Sequence, residues 1–204
     1  MNLFEFDKAY REEHNIKYLA GIDEAGRGPL AGPVFAAAVI LPPDLYIDGI
    51  NDSKKLTEKK REELFDVIVE KAIAYAICTA DANIIEEINI LNATMYAMKN
   101  AAESLDIVPE RVLVDGNKTP EFAYPHEFLI KGDAKSQSVA AASILAKVSR
   151  DRFCTEVMAK EYPEYLFEKH KGYGTKAHFD KIVEYGPCPY HRLSFLKKKL
   201  GDFK

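Results

Sequence analysis

The chain has 204 residues, 47% of them hydrophobic and 29% charged, with a formal net charge of −4. That length buries one sizeable core and favours a single domain over residues 1–204, while no apolar run approaches the roughly 18 residues of a membrane span. Residues 1–7 lack the basic region and apolar stretch of a signal peptide, so a soluble cytoplasmic protein with no membrane partner is expected.

Cys78, Cys154 and Cys188 are odd in number and widely spaced, which fits reduced packing residues better than a disulfide framework. Net acidity argues against nucleic acid as a partner, but the charge is unevenly spread. From Lys131 to Lys204 there are 15 Lys+Arg against 9 Asp+Glu, and before that 13 against 23, so the C-terminal third can face a polyanion.

Residues 18–22 and 34–41 read as two short strands, joined through the Gly/Pro-rich residues 26–33 as a hairpin with an elaborate turn. Thr57 is placed to cap a helix carrying Leu64, Phe65, Ile68 and Val69, and residues 72–80 form another strand. Leu91, Met95, Met98, Ala102 and Leu105 recur at steps of three and four, giving a second amphipathic helix that stops before Pro109. Arg111-Val112-Leu113-Val114-Asp115 is a β-rich run closed by Gly116, and residues 128–130 are a weaker strand. Ser136 can cap a long helix whose small residues, Ala142, Ser143 and Ala146, allow close packing on a sheet. The sum is a mixed α/β domain with helices covering the sheet.

Asp23-Glu24, Asp115 and Asp133 all fall where a strand is ending or has just ended. Ligand sites in α/β sheets gather there, and clustered carboxylates are unfavourable unless cations neutralise them. Hard oxygen ligands suit Mg²⁺ or Mn²⁺, and the matching chemistry is two-metal phosphodiester hydrolysis. Singly, each acid has a plainer explanation: Asp115-Gly116 is a common turn, and Asp133 can cap the next helix. Strand alternation also sends Asp23 and Glu24 to opposite faces, so a break beside them, made easy by Gly26 and Gly28, is expected if both reach one site.

Gly26-Arg27-Gly28 sets a guanidinium between two glycines directly after the acidic pair. Backbone N–H groups without a neighbouring Cβ can approach a phosphate or ribose, and Arg offers a planar fork to phosphate oxygens. A tight turn explains Gly-x-Gly equally well, and neither a Walker loop nor a dinucleotide fingerprint is present.

The segment Gly21-Ile22-Asp23-Glu24-Ala25-Gly26-Arg27-Gly28-Pro29-Leu30-Ala31-Gly32-Pro33-Val34 resembles the signature of bacterial ribonuclease HII. Further blocks follow in that family's order: Asp52-Ser53-Lys54-Lys55-Leu56, Val114-Asp115-Gly116-Asn117, Lys131-Gly132-Asp133-Ala134-Lys135, residues 140–151, Lys171-Gly172-Tyr173-Gly174-Thr175 and His191-Arg192-Leu193-Ser194-Phe195. The resemblance implies a ribonuclease H-like fold, with a central five-stranded mixed sheet flanked by helices and a helical C-terminal portion. It implies an endonuclease that hydrolyses the RNA strand of RNA·DNA hybrids and cuts 5′ to single ribonucleotides in duplex DNA, leaving 3′-hydroxyl and 5′-phosphate ends. Asp23, Glu24, Asp115 and Asp133 would be the catalytic acids holding Mn²⁺ or Mg²⁺. Gly26, Arg27 and Gly28, helped by Tyr173, would read the ribose 2′-hydroxyl and adjoining phosphate.

Lys54, Lys147 and Arg150 are candidate phosphate contacts, although a solvated helix face explains the last two as well. Asp151 reads as a helix-pairing or supporting residue, and His126, His170, His178 and His191 show no zinc spacing. A monomer is expected, with a replication-clamp contact through the C-terminal tail as a possible partner interaction. The sister type, ribonuclease HIII, carries an N-terminal substrate-binding domain for which a first block at residue 18 leaves no room. A binding module without chemistry is the rival from another class, and the presence of all four acids opposes it.

Overall fold

In chain order the computed structural model, which describes residues 2–201, begins with α1 (Leu3–His14), β1 (Leu19–Ala25), β2 (Val34–Ile40), α2 (Glu58–Lys71) and β3 (Ala74–Ala80). It continues through α3 (Ala82–Glu103), β4 (Arg111–Asp115), β5 (His126–Leu129) and α4 (Gln137–Phe153). Four short helices close the chain: α5 (Ala159–Glu161), α6 (Phe167–His170), α7 (Lys176–Tyr185) and α8 (Leu193–Leu200). The five strands form one mixed sheet in the order β3-β2-β1-β4-β5, antiparallel from β3 to β1 and parallel from β1 to β5. This is the ribonuclease H-like arrangement with a helical C-terminal portion.

Local chemistry sets several boundaries. Thr57 accepts a hydrogen bond from Lys60 N–H, and Ser136 accepts one from Val139 N–H, so both expected caps start their helices. Asp81 starts α3 nine residues earlier than the apolar spacing from Leu91 suggested. The reason is Asn89, which sits at φ 65° and kinks the helix while its side chain accepts from the N–H groups of Leu91 and Asn92.

β2 is buried along its whole length because both faces of the sheet are covered. Ala20, Ile22, Val112 and Val114 face α3 through Ala93, Ala97, Met98 and Ala101. On the opposite face, Ala37 and Val39 meet α4, and α2 packs over it with Leu64 and Ile68. Contact between α4 and β1 is close enough that a Cβ on Gly21 would fall 2.1 Å from the Ser138 carbonyl carbon, so this position admits only glycine. A third cluster joins Leu30 and Ala31 to Cys154, Met158, Tyr165, Phe167, Ile182 and Leu196, fastening residues 26–33 to the C-terminal helices.

Cys78, Cys154 and Cys188 are free thiols. Among the described residues no helix is long and apolar enough to cross a membrane. Lys197, Lys198 and Lys199 belong to α8, and the rest of the tail, residues 202–204, lies outside the described residues.

Candidate active site

β1 does not break beside its acids. It stays paired with β2 as far as Ala25 opposite Phe35, whereas its pairing with β4 ends at Ile22 opposite Val114. Asp23, Glu24 and Ala25 therefore project past the β4 pairing, beside Asp115, the last residue of β4. That overhang, rather than the expected break, lets residues on opposite faces of β1 share one neighbourhood with Asp115.

Asp23 is 3% exposed and accepts the Glu24 N–H at 2.7 Å, and Ser143 of α4 stands near enough to lower its proton affinity. Ser143 also contacts Ser53 across 2.8 Å, which ties the segment carrying Lys54 to α4. Asp115 Oδ1 accepts the Gly132 N–H at 2.6 Å, joining the end of β4 to the 3₁₀ turn Gly132–Ala134 that holds Asp133. Glu24 lies 3.4 Å from the Arg27 guanidinium.

These groups feel one another's charge. Burial, and then the charges of Glu24 and Asp115, push the Asp23 carboxyl well above its ordinary range. Burial raises Glu24 as well, with Asp115 adding to the rise and Arg27 opposing it. Asp133 is pushed up to about 6 by burial, then by Asp115 and Asp52. Burial alone would lower Lys54, but Asp23, Asp133, Asp52 and Glu24 outweigh it and raise the ammonium instead. Asp52 is thus a fifth carboxylate of the neighbourhood. Its sequence block was recognisable, but its role was not, because it also caps a short 3₁₀ turn by accepting the Lys54 N–H.

All-oxygen donors that repel one another suit a hard divalent cation. Among the described residues no three His, Cys, Asp or Glu side chains are already gathered around one point.

The glycine-rich turn is organised by two buried arginines. Arg192, fully buried, donates five hydrogen bonds of 2.6–3.0 Å to the carbonyls of Gly26, Arg27, Pro29 and Gly32. Burial, and then the nearby Arg150, pull it down to about 9, which leaves it a cation at neutral pH. Arg150 is 1% exposed and donates to the carbonyls of Ala31, Pro33 and Lys171. This corrects both sequence expectations for Arg150: it is neither on a solvated face nor free to reach a phosphate. Gly26, at φ +95°, lies so close that a Cβ there would be 2.0 Å from Arg150 Nε.

Tyr173, 44% exposed, stands over this assembly with the Arg150 guanidinium 5.8 Å from its ring centroid. A Cβ on Gly28 would lie 3.9 Å from Tyr173 Cε1, so the fold brings these two candidates together. The Tyr173 loop is held from below by histidines. His178 Nδ1 bonds the Tyr173 carbonyl, its Nε2 meets His191 Nε2 at 3.0 Å, and His191 Nδ1 accepts the Cys188 N–H. These bonds are mutually consistent only for two neutral rings, with His178 protonated on Nδ1 and His191 on Nε2. Lys147 lies away from the turn's carbonyls in an ion pair with Asp151 at 2.7 Å, and Asp151 also faces Arg61 of α2 at 3.9 Å.

The family model described as ribonuclease HII matches residues 20–198. A ribonuclease HII of Caldicellulosiruptor saccharolyticus is 58% identical over 199 residues, covering 98% of this chain and 96% of that protein. Among solved structures, the ribonuclease H2 of Pyrococcus horikoshii superposes with a TM-score of 0.73 at 28% identity, covering 89% of this chain and 96% of the other. A ribonuclease HII of Archaeoglobus fulgidus, solved in complex with PCNA, gives a TM-score of 0.61 at 25% identity over 92% and 98% of the two chains.

Proposed function

The chain belongs to the ribonuclease HII family, hydrolytic endoribonucleases that cut the RNA of RNA·DNA hybrids, and within that activity we propose that it also incises duplex DNA 5′ to single embedded ribonucleotides. The products would carry 3′-hydroxyl and 5′-phosphate ends, and the enzyme would act as a single-domain monomer. One observation carries the assignment of the chemistry: burial, and then neighbouring charge that includes Asp115 at the end of β4, raises the proton affinity of Asp23, Glu24 and Asp133. Such a set gains most from divalent cations.

Asp23, Glu24, Asp115 and Asp133 are the proposed ligands. When held by these acids, two divalent ions, Mn²⁺ or Mg²⁺, would supply activation of the attacking water and neutralisation of the leaving oxygen. The chain's own groups do the rest. The Glu24 N–H fixes the Asp23 carboxylate, and the Gly132 N–H fixes Asp115. Lys54 faces the same carboxylates and offers a cation to the scissile strand.

Arg27 and Gly28 are exposed beside Tyr173 and would meet the phosphate and 2′-hydroxyl of the ribonucleotide, the group that distinguishes RNA from DNA. A clamp contact through the C-terminal tail is a further proposal, prompted by the PCNA complex of the Archaeoglobus relative.

The test is cleavage of a labelled duplex containing one ribonucleotide, with and without Mn²⁺, with both ends of the cut mapped. A metal-dependent cut 5′ to the ribonucleotide is expected. Binding without any cut, or a cut leaving a 3′-phosphate, would refute the proposal.

A further inference from the structure

The His191-Arg192 block has no part in the chemistry above, yet Arg192 makes more hydrogen bonds to residues 26–33 than any other side chain among the described residues. All peptides here are trans, so a carbonyl drawn towards Arg192 turns the next residue's N–H the other way. Where protein lies on the far side, that N–H finds a partner. Opposite the Pro29 carbonyl, Leu30 N–H bonds Gly172 O at 2.8 Å, and opposite the Ala31 carbonyl, held by Arg150, Gly32 N–H bonds Tyr190 O at 2.9 Å.

At the tip the outcome differs. Arg192 holds the carbonyls of Gly26 and Arg27, which turns the N–H groups of Arg27 and Gly28 outward. Both residues are exposed, and neither N–H has a protein acceptor among the described residues. Successive N–H groups turned the same way make an anion-binding concavity.

Charge reinforces the geometry. Neither Arg192 nor Arg150 has a carboxylate within ion-pair distance among the described residues; their hydrogen-bond partners are carbonyls. Carbonyl dipoles solvate a buried guanidinium without cancelling its charge. Two positive charges therefore lie behind an outward pair of N–H donors.

We propose that Arg192 is a positioning residue for ribonucleotide recognition: it turns the tip peptides so that the Arg27 and Gly28 N–H groups meet a backbone phosphate, and its charge strengthens that contact. The inference rests on the nuclease reading of the site, but what it asserts is narrower. Arg192 touches no substrate, and Arg150 supports the same turn from its other side.

The experiment compares wild-type protein with Arg192→Gln and Arg192→Lys. Affinity is measured in EDTA for two duplexes that differ only in one ribonucleotide, and kcat and KM are then measured with Mn²⁺. In Arg192→Gln the preference for the ribonucleotide duplex falls about tenfold, as expected for a lost set of charged hydrogen bonds. KM rises while kcat at saturation changes far less, because the acids are untouched. Arg192→Lys recovers part of the preference, since it restores charge without the fork. A folded Arg192→Gln with wild-type preference would overturn the proposal, as would a loss confined to kcat.

A second measurement serves if Arg192→Gln does not fold and separates this inference from the nuclease reading. Inorganic phosphate is titrated into full-length wild-type protein while amide resonances are followed. Saturable shifts at Arg27 and Gly28 support the anion site even if no cleavage is found. Unmoved resonances at those two positions refute it even in an active nuclease.

Discussion

At the acid end of the sheet, Asp23, Glu24, Asp115 and Asp133 are drawn together against their mutual repulsion, whereas in residues 26–33 the buried carbonyls are met by the arginines beneath them. One half of the site is electrostatically unsatisfied, and in the other the buried carbonyls are hydrogen-bonded while the Arg27 and Gly28 N–H groups stay free among the described residues. Under the proposed function, the contrast separates two tasks. A reacting centre benefits from groups that gain stability only when cations and substrate arrive, while a reading surface must hold its shape beforehand to discriminate.

The sharpest way to break this comparison is Asp115→Asn. Cleavage should fall by about a thousandfold or more, because several kcal/mol of charge stabilisation would be lost with one proposed metal-holding oxygen. Duplex affinity should hold within a few-fold, and thermal stability should be unchanged or higher, since one repelling charge is gone. Near-wild-type turnover would refute the division of tasks.

Gly26→Ala attacks the other half. Its positive φ and the 2.0 Å approach to Arg150 Nε should together cost roughly 3 kcal/mol, seen as a lower denaturation midpoint. Unchanged stability would mean that the turn is not as tightly held as described.

Acid separates the two halves by sign. Burial, then neighbouring His170, pulls His178 down to about 3, and burial pulls His191 down to about 4, against an ordinary value of 6.5. Below that ordinary value the unfolded chain binds more protons, so their contribution is complete above about 6.5 and declines towards pH 4. The decline is up to about 1.4 kcal/mol per pH unit for each histidine. Asp133 works in reverse: its folded value of about 6 lies above the ordinary 3.8, so its contribution is present below 3.8 and lost as pH rises through 6. Asp133→Asn should therefore steepen the fall in stability between pH 6 and 4, measured by denaturant unfolding. A shallower fall would contradict the opposed signs.

The smallest effect is expected from Lys147→Met. Its ammonium is engaged by Asp151, so stability should move by under about 1 kcal/mol and duplex affinity by less than twofold. A tenfold loss of affinity would restore Lys147 as a phosphate contact.

What could be read in the sequence follows from how local each signal is. β4 closes at Asp115 before Gly116, and Thr57 and Ser136 cap the helices assigned to them, because strand ends and caps are written within a few residues. The first turns of α3 were missed because Asn89 interrupts the apolar spacing. β1 runs past its acids because β2 pairs with it there, a matter of partner register rather than local composition. Arg150 and Arg192 look like surface cations in a string of letters. Their acceptors are backbone carbonyls up to 166 residues away, and no side-chain pattern announces them.

That distance has a consequence for how the molecule comes into being. A nascent chain exposes residues 26–33 early, and all five strands can emerge before the guanidinium that fixes the turn has been translated. Order in the turn must therefore arrive late, through closure of one of the longest loops in the protein. A product truncated just short of Arg192 would carry every proposed metal-holding acid yet lack the clasp on residues 26–33.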